Sequence, residues 1–325
     1  MNDRELLSQL QSSAKAVKAE LSKNIVGQTH VINDLLACLF AGGHCLLIGV
    51  PGLAKTTLIR CLGKCLSLKF NRIQFTPDLM PSDITGSEIL YEDKATGQRE
   101  FRFVKGPVFS NIVLADEINR TPPKTQSALL QAMQEHEVTS SGVTFELPSP
   151  FWVLATQNPI EQEGTYPLPE AQQDRFMFSV EIGYPSHAEE VEIARHASGA
   201  ASAAITSVLD DAQIDEFRNL VYRVPIADSV VEYAVKLARS TRPDSPECSE
   251  DIRQYITWGA GPRASQFLVL AAKAYAALDG RPTPDIGDVK AAAPCVLRHR
   301  IVRSFHAETE GVGANQIVQK LIDRK

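Results

Sequence analysis

The chain has 325 residues, is 44% hydrophobic and 22% charged, and carries a formal net charge of −6; this is the profile of a globular protein with room for two domain cores. The acidic balance gives no reason to expect binding along a nucleic-acid backbone, although a local basic pore stays open. No apolar run is long enough to span a membrane, and the polar start Met1-Asn-Asp-Arg-Glu5 does not resemble a leader, so a cytoplasmic protein is expected.

Residues 1–23 place Leu6, Leu7, Leu10, Val17 and Leu21 among polar residues, a spacing that predicts an amphipathic N-terminal helix. Asn24-Ile-Val-Gly-Gln28 follows, then a helical apolar segment through Phe40. Cys45–Ile48 is a short apolar run of the kind buried in parallel sheets. It enters Gly49-Val50-Pro51-Gly52-Leu53-Ala54-Lys55-Thr56-Thr57, and a helix is predicted from Thr57 to Leu68. Strand, glycine-rich turn, Lys-Thr and helix together make a phosphate cradle. Backbone N–H groups and a helix N-terminus face the anion, Lys55 reaches the β- and γ-phosphates, and the Thr56 hydroxyl holds magnesium. Ala54 stands where the general pattern has glycine; as a good helix former it is expected to open the helix with little distortion. Ile25 and Val26, just ahead of the loop, are candidates for an adenine wall or for plain helix packing. The six cysteines, at 38, 45, 61, 65, 248 and 295, have no neighbouring ligands that complete a zinc set, so buried free thiols are expected.

Asn71–Thr76 reads as a strand and Pro77–Gly86 as a turn-rich piece. Glu88–Tyr91 and Glu100–Val104 flank the polar, Gly-containing stretch 92–98 as a β-hairpin. Asn111–Ala115 is another apolar strand, ending at Asp116-Glu117. Pro122–His136 reads as a helix, with Leu129, Leu130 and Met133 as its stripe. A second hairpin is predicted over 137–147 around Ser141-Gly142, then a strand over Phe151–Thr156 that ends at Gln157-Asn158-Pro159. A loop and short helix reach Asp174-Arg175, followed by the strand Phe176–Ile182. Beyond Tyr184 only helical periodicity is visible, near 187–197, 211–222, 227–240, 263–278 and 285–300, with an Ala/Ser-rich connector at 198–207. Strands alternating with helices, then helices alone, predict an α/β domain followed by an α-helical one. The divisions fall at an N-terminal helix (1–23), an α/β core (24–184) and a helical domain (185–325).

In open α/β sheets ligands sit outside the carboxyl ends of strands, where Asp116, Glu117 and Asn158 all fall. Asp116 suits a magnesium shell and Glu117 suits orienting or deprotonating a water for attack on a γ-phosphate. Asn158 can position that water or merely cap the turn before Pro159. Arg175 can stabilise charge on a transferring phosphoryl group, from a neighbouring subunit if need be; the alternative is an ion pair with Asp174 or Glu170. Arg263, in Gly259-Ala-Gly-Pro-Arg263, opens a helix and is either a nucleotide contact across the domain interface or a surface arginine.

These ordered motifs resemble those of AAA+ ATPases, and more closely the MoxR family. Gly-Val-Pro-Gly-Leu-Ala-Lys-Thr at 49–56, with its Ala54, is similar to that family's form of the loop. Ala115-Asp-Glu-Ile-Asn-Arg120, Thr121-Pro-Pro-Lys-Thr-Gln-Ser127, Ala155-Thr-Gln-Asn-Pro159, Leu168-Pro-Glu-Ala-Gln-Gln-Asp-Arg-Phe176 and Gly261-Pro-Arg-Ala264 match as well. The resemblance covers roughly residues 20–300. It implies a P-loop nucleotide-binding core with a C-terminal helical lid. Lys55 and Thr56 would be Walker A, Asp116 and Glu117 Walker B, Asn158 sensor 1, Arg175 the arginine finger and Arg263 sensor 2. The hairpins at 88–104 and 137–147 would be the helix-2 insert and the pre-sensor-1 hairpin.

What the resemblance further implies is a Mg2+-dependent ATPase working as a homo-oligomer, a hexameric ring. Its role would be chaperone-like, remodelling, activating or metallating a client protein alongside a von Willebrand factor A domain partner. Two rivals remain. A nucleic-acid motor is disfavoured by the net charge and would show salt-sensitive, DNA-stimulated turnover. A nucleotide-gated scaffold with little turnover is disfavoured by the presence of both Glu117 and Arg175.

Overall fold

The computed structural model describes residues 2–92, 99–160, 164–197 and 203–324. The polar stretch expected at the first hairpin's tip (93–98), residues 161–163 of the loop toward Asp174, and the connector's 198–202 lie outside the described residues. Helix α1 (Asp3–Leu21) starts in a reciprocal cap: the Asn2 side chain accepts the Glu5 N–H at 2.9 Å, and Glu5 accepts the Asn2 N–H at 3.1 Å, satisfying two of the donors a helix start leaves free. Its apolar stripe of Leu6, Leu7, Leu10, Ala14, Val17 and Leu21 is buried. The stripe packs against α3 (Lys55–Cys65) of the α/β part and against α8 (Asp211–Arg223) and α11 (Pro262–Leu278) of the helical part. The N-terminal helix is thus built into the core of both. The second helix, α2 (Thr29–Phe40), lies between it and the sheet and also touches α8 and α11.

Five parallel strands form the central sheet in the order β2 (Phe70–Gln74), β5 (Ile112–Asp116), β8 (Trp152–Gln157), β1 (Cys45–Ile48) and β9 (Phe178–Glu181). Period-2 side-chain alternation divides them between two cores. Cys45, Leu47, Ile112, Leu114, Trp152 and Leu154 pack with α1–α3 and the C-terminal helices. Leu46, Val113, Ala115, Val153 and Ala155 pack on the other face with α5 (Pro123–Glu135). Near-continuous apolar runs are what a sheet covered on both faces demands.

Two hairpins project from this frame. Strands β3 (Gly86–Glu92) and β4 (Arg99–Lys105) pair antiparallel, with Leu90 opposite Phe101, and those two side chains are 55% and 72% exposed. Strands β6 (Glu137–Ser140) and β7 (Val143–Glu146) turn at Ser141-Gly142, both at positive φ (48° and 81°), the signature of a two-residue hairpin turn. Phe103 of the first hairpin stacks on Phe145 of the second at 4.5 Å, so the two are joined. The turn-rich piece before β3 holds one short helix, α4 (Pro81–Thr85).

Past a short α6 (Glu170–Gln173) and β9, the chain runs through α7 (His187–Ala197), α8, α9 (Asp228–Arg239), α10 (Glu250–Arg253), α11, α12 (Ile286–Leu297), α13 (Phe305–Thr309) and α14 (Ala314–Ile322). The expectation of helices alone is corrected here. A small antiparallel ribbon pairs β10 (Ile256–Trp258) with β11 (Val302–Arg303), and strands of three and two residues are too short to show a period. Among the described residues no helix is long and apolar enough to cross a membrane, and all six cysteines are free and buried.

Candidate active site

The loop between β1 and α3 carries its conformation in two glycines and one strained alanine. Gly52 sits at φ +87° with open space where a Cβ would stand, so backbone conformation, not room, is what requires glycine there. At Gly49 the reason is proximity: a Cβ would meet the Ile182 carbonyl oxygen at 2.9 Å. Ala54 does not open the helix as a helical residue. It is the cap, at φ 55°, ψ 22° in the left-handed region, and helix α3 starts at Lys55. This corrects the low-distortion expectation, since a Cβ in that region costs about 1–2 kcal/mol. Pro51, Gly52, Ala54 and Thr57 are exposed, while Val50, Leu53, Lys55 and Thr56 are half-buried. The Lys55 ammonium folds back on its own loop, donating to the Gly49 and Val50 carbonyls. Ile25 is packed in the core, its N–H bonded to Leu21, whereas Val26 is half-buried. The segment is tied down by Gln28, whose Nε2 donates to the Gly183 carbonyl at 3.3 Å, just after β9.

Asp116 ends β5, Glu117 follows it, and both are set by their neighbours in the sheet. The Thr156 hydroxyl of β8 donates to Asp116 Oδ1 at 2.7 Å, and Thr156 Oγ1 accepts the Glu117 N–H at 2.8 Å. From the edge strand β2, Arg72 Nε donates to Asp116 Oδ2 at 2.9 Å, and Gln74 Nε2 donates to Glu117 Oε2 at 2.7 Å. Arg72 also bonds Gln74. Glu117 itself is left-handed, at φ 58°, which turns its side chain out of the strand's alternation. Arg120 pairs with it at 3.3 Å. Beyond it, Gln126 is fully buried and its amide donates to the carbonyls of Ile118, Thr121 and Tyr166; it fixes the loop that follows the two carboxylates. Asn158 is 7% exposed and its Oδ1 accepts the Ile160 N–H at 3.2 Å, so the turn-capping arrangement is present, at the end of the strand next to β1.

Arg175 and Arg263 are brought together, away from the loop. Strands β1 and β9 run parallel with Cys45 beside Phe178 and Ile48 beside Glu181. The phosphate loop leaves the C-terminal end of this pair and Arg175 enters its N-terminal end, a span of about 10 Å across the strand alone at ~3.3 Å per residue. Arg175 Nη1 donates to the Leu130 carbonyl of α5 at 2.8 Å. Both arginines line one cavity with Gly42, His44 and His136. Arg263 bonds Asp174 at 3.1 Å, and Arg300, beyond α12, bonds the other oxygen of that carboxylate at 2.7 Å. The ion pair with Asp174 raised as an alternative for Arg175 belongs instead to Arg263 and Arg300. His44 holds this edge together: its Nδ1 accepts the Val153 N–H at 3.0 Å and its Nε2 meets the Met133 carbonyl at 3.2 Å. Burial pushes its pKa down to about 3, so it is a neutral strut.

Sequence reading gave no role to Thr156, Arg72, Gln74 or Arg300. Arg72 and Gln74 left a signal, two polar residues two apart and so on one face of a strand; Thr156 left one in closing an otherwise apolar run. Arg300 left none, since its partners Asp174, Phe176 and Met177 lie more than 120 residues away.

A family model described as "ATPase family associated with various cellular activities (AAA)" matches residues 44–178, and one described as "AAA lid domain" matches 249–321. The chain is 40% identical over 303 residues to "Chaperone MoxR1" of Mycobacterium tuberculosis, covering 93% of this chain and 79% of that protein. It is 43% identical over 309 residues to the uncharacterised protein YeaC of Bacillus subtilis, covering 95% and 92%. "Protein MoxR" of Methylorubrum extorquens is 30% identical over 314 residues, covering 91% and 89%. The crystal structure of a putative ATPase from Cytophaga hutchinsonii superposes with a TM-score of 0.90 at 42% identity, covering 99% of this chain and 96% of that one.

Proposed function

The chain belongs to the MoxR family of AAA+ ATPases, and on that premise we propose that it hydrolyses ATP as a magnesium-dependent ring of identical subunits. One observation carries the ring. Arg175 and Arg263 stand toward the end of the β1–β9 pair opposite the phosphate loop, which supports a site completed by the loop of a second subunit. The charge there favours an anion from outside: Arg263 and Arg300 share the single carboxylate of Asp174, with Arg175 adjacent in sequence.

In this reading the backbone N–H groups of residues 52–56 at the start of α3 hold the triphosphate, with Lys55 released from the Gly49 and Val50 carbonyls to reach it. Val26 is the better placed of the two adenine candidates, because Ile25 is committed to the core. Thr56 and Asp116 offer hard oxygen donors of the kind magnesium takes one or two at a time, and the bound ion would supply positive charge against the phosphate oxygens. Glu117 accepts the proton of the water that attacks the γ-phosphorus; the bond to the ADP oxygen breaks and ADP leaves. Gln74 donates to one oxygen of that carboxylate, and the other oxygen would take the proton. Asn158 would orient the water with its amide, and the neighbour's Arg175 would stabilise the charge that spreads over the phosphoryl oxygens.

The work done is proposed to be chaperone-like, on a client protein and with a von Willebrand factor A domain partner. Support comes from the printed name of one relative, "Chaperone MoxR1", and from the exposed Ile89, Leu90, Tyr91, Phe101 and Val104 of the first hairpin, an apolar surface suited to another protein. The test is light scattering of the Glu117→Gln chain with ATP and magnesium. A trapped assembly near six times 35.6 kDa, with turnover abolished, is expected. A single-subunit mass under those conditions would contradict the ring.

A further inference from the structure

Arg300 lies three residues beyond α12, yet its side chain is only 2% exposed and reaches the peptide that carries Arg175. Its Nε donates to Asp174 Oδ1 at 2.7 Å, Nη2 to the carbonyls of Asp174 (2.9 Å) and Phe176 (2.7 Å), and Nη1 to those of Met177 (3.3 Å) and Val296. A guanidinium has five N–H donors; four are spent on residues 174–177 and one on its own helix. Its neighbour His299 adds a contact from Nε2 to the Phe176 carbonyl at 3.1 Å. The guanidinium carbon sits 5.1 Å from the Phe267 ring of α11. Every residue of the segment except Arg175 is therefore gripped from the C-terminal helices, and Arg175 stands at its centre with its side chain directed to α5.

A buried arginine is an expensive way to gain stability, since apolar residues of similar size often serve as well or better. What the fork adds is direction, because it fixes three carbonyls and a carboxylate at once. We propose that Arg300 is a positioning residue for Arg175: it makes the peptide around Arg175 move with α11 and α12, so that the placement of the C-terminal helices in one subunit sets the charge stabilisation at the phosphate site of the next. This rests on the in-trans role of Arg175 given above.

The experiment compares Arg300→Lys with Arg175→Ala, each alone and each mixed with Glu117→Gln. Lysine keeps the charge and most of the volume but cannot span four acceptors. Expected for Arg300→Lys alone is an unchanged KM for ATP and a kcat about a hundredfold lower, the scale of a ~1 Å misplacement of a catalytic group. Mixing with Glu117→Gln subunits should restore turnover, because they present a well-placed Arg175 to the intact Glu117 of the Arg300→Lys subunits. Recovery by Arg175→Ala but not by Arg300→Lys would overturn the proposal and leave Arg300 as a staple of its own fold. Recovery by neither would sink the in-trans reading and this role with it. If Arg300→Lys does not fold, Asp174→Asn loosens the same segment from its half-exposed side, and the same mixture outcomes decide.

Discussion

The Thr156 hydroxyl stands between Asp116, the last residue of β5, and Glu117, which follows it, donating to Asp116 Oδ1 at 2.7 Å while accepting the Glu117 N–H at 2.8 Å. One buried oxygen thus sets both the Asp116 carboxylate and the peptide that turns Glu117 left-handed. Thr156→Val keeps the shape and removes the hydroxyl, leaving the half-buried Glu117 N–H without its partner, at a cost of about 1 kcal/mol. Expected are a lower thermal midpoint, a raised magnesium requirement and a reduced kcat, with Thr156→Ser restoring the last two. Titration of ATPase rate against magnesium for the three chains checks this, and a Val variant with wild-type magnesium dependence would dismiss it.

Acid should weaken the fold through His44. Its folded pKa is depressed to about 3 by burial, against ~6.5 in an unfolded chain. Between those values the unfolded state binds a proton that the folded state refuses. The contribution is therefore intact above pH ~6.5 and falls by about 1.4 kcal/mol per pH unit as the pH drops toward 3. Burial pushes His299 down as well, so it acts in the same direction. Denaturant unfolding of wild type and His44→Leu at several pH values isolates the His44 share as a shallower acid slope in the variant. Parallel slopes would mean that His44 is not the group being titrated.

Helix α1 is wedged between the two parts of the molecule, and Leu10 is fully buried there. Leu10→Ala should cost about 2–5 kcal/mol, which differential scanning calorimetry would read as a lowered transition for the whole chain. Loss confined to a separate small transition would mean that α1 folds as an appendage.

The features legible in the sequence were local ones. The loop at 49–57, the carboxylates ending an apolar strand and the Ser141-Gly142 turn each announce themselves within ten residues, because strand burial and turn chemistry are short-range constraints. At Ala54 helix propensity speaks for a helix interior, while the loop needs a left-handed cap. The sequence admits two roles for Asn158, and the Asx-type bond from the Ile160 N–H fills the capping one. The grouping of Arg175, Arg263, Asp174 and Arg300 was out of reach. It arises where α11 and the residues after α12 fold back on the start of β9, and no periodicity records a contact between residues 126 apart. The β10–β11 ribbon is hidden for a different reason, since strands of three and two residues are too short to show a period.

The most direct test is the ATPase rate per subunit across a wide range of protein concentration, for wild type and for Arg175→Ala. With the arginine supplied in trans, the wild-type rate climbs with concentration to a plateau. The variant stays low throughout, by about 10³-fold or more, while binding ATP as tightly as wild type. A rate that is independent of concentration and unaltered by Arg175→Ala would show that each chain completes its own site, and the shared-site ring would have to be abandoned.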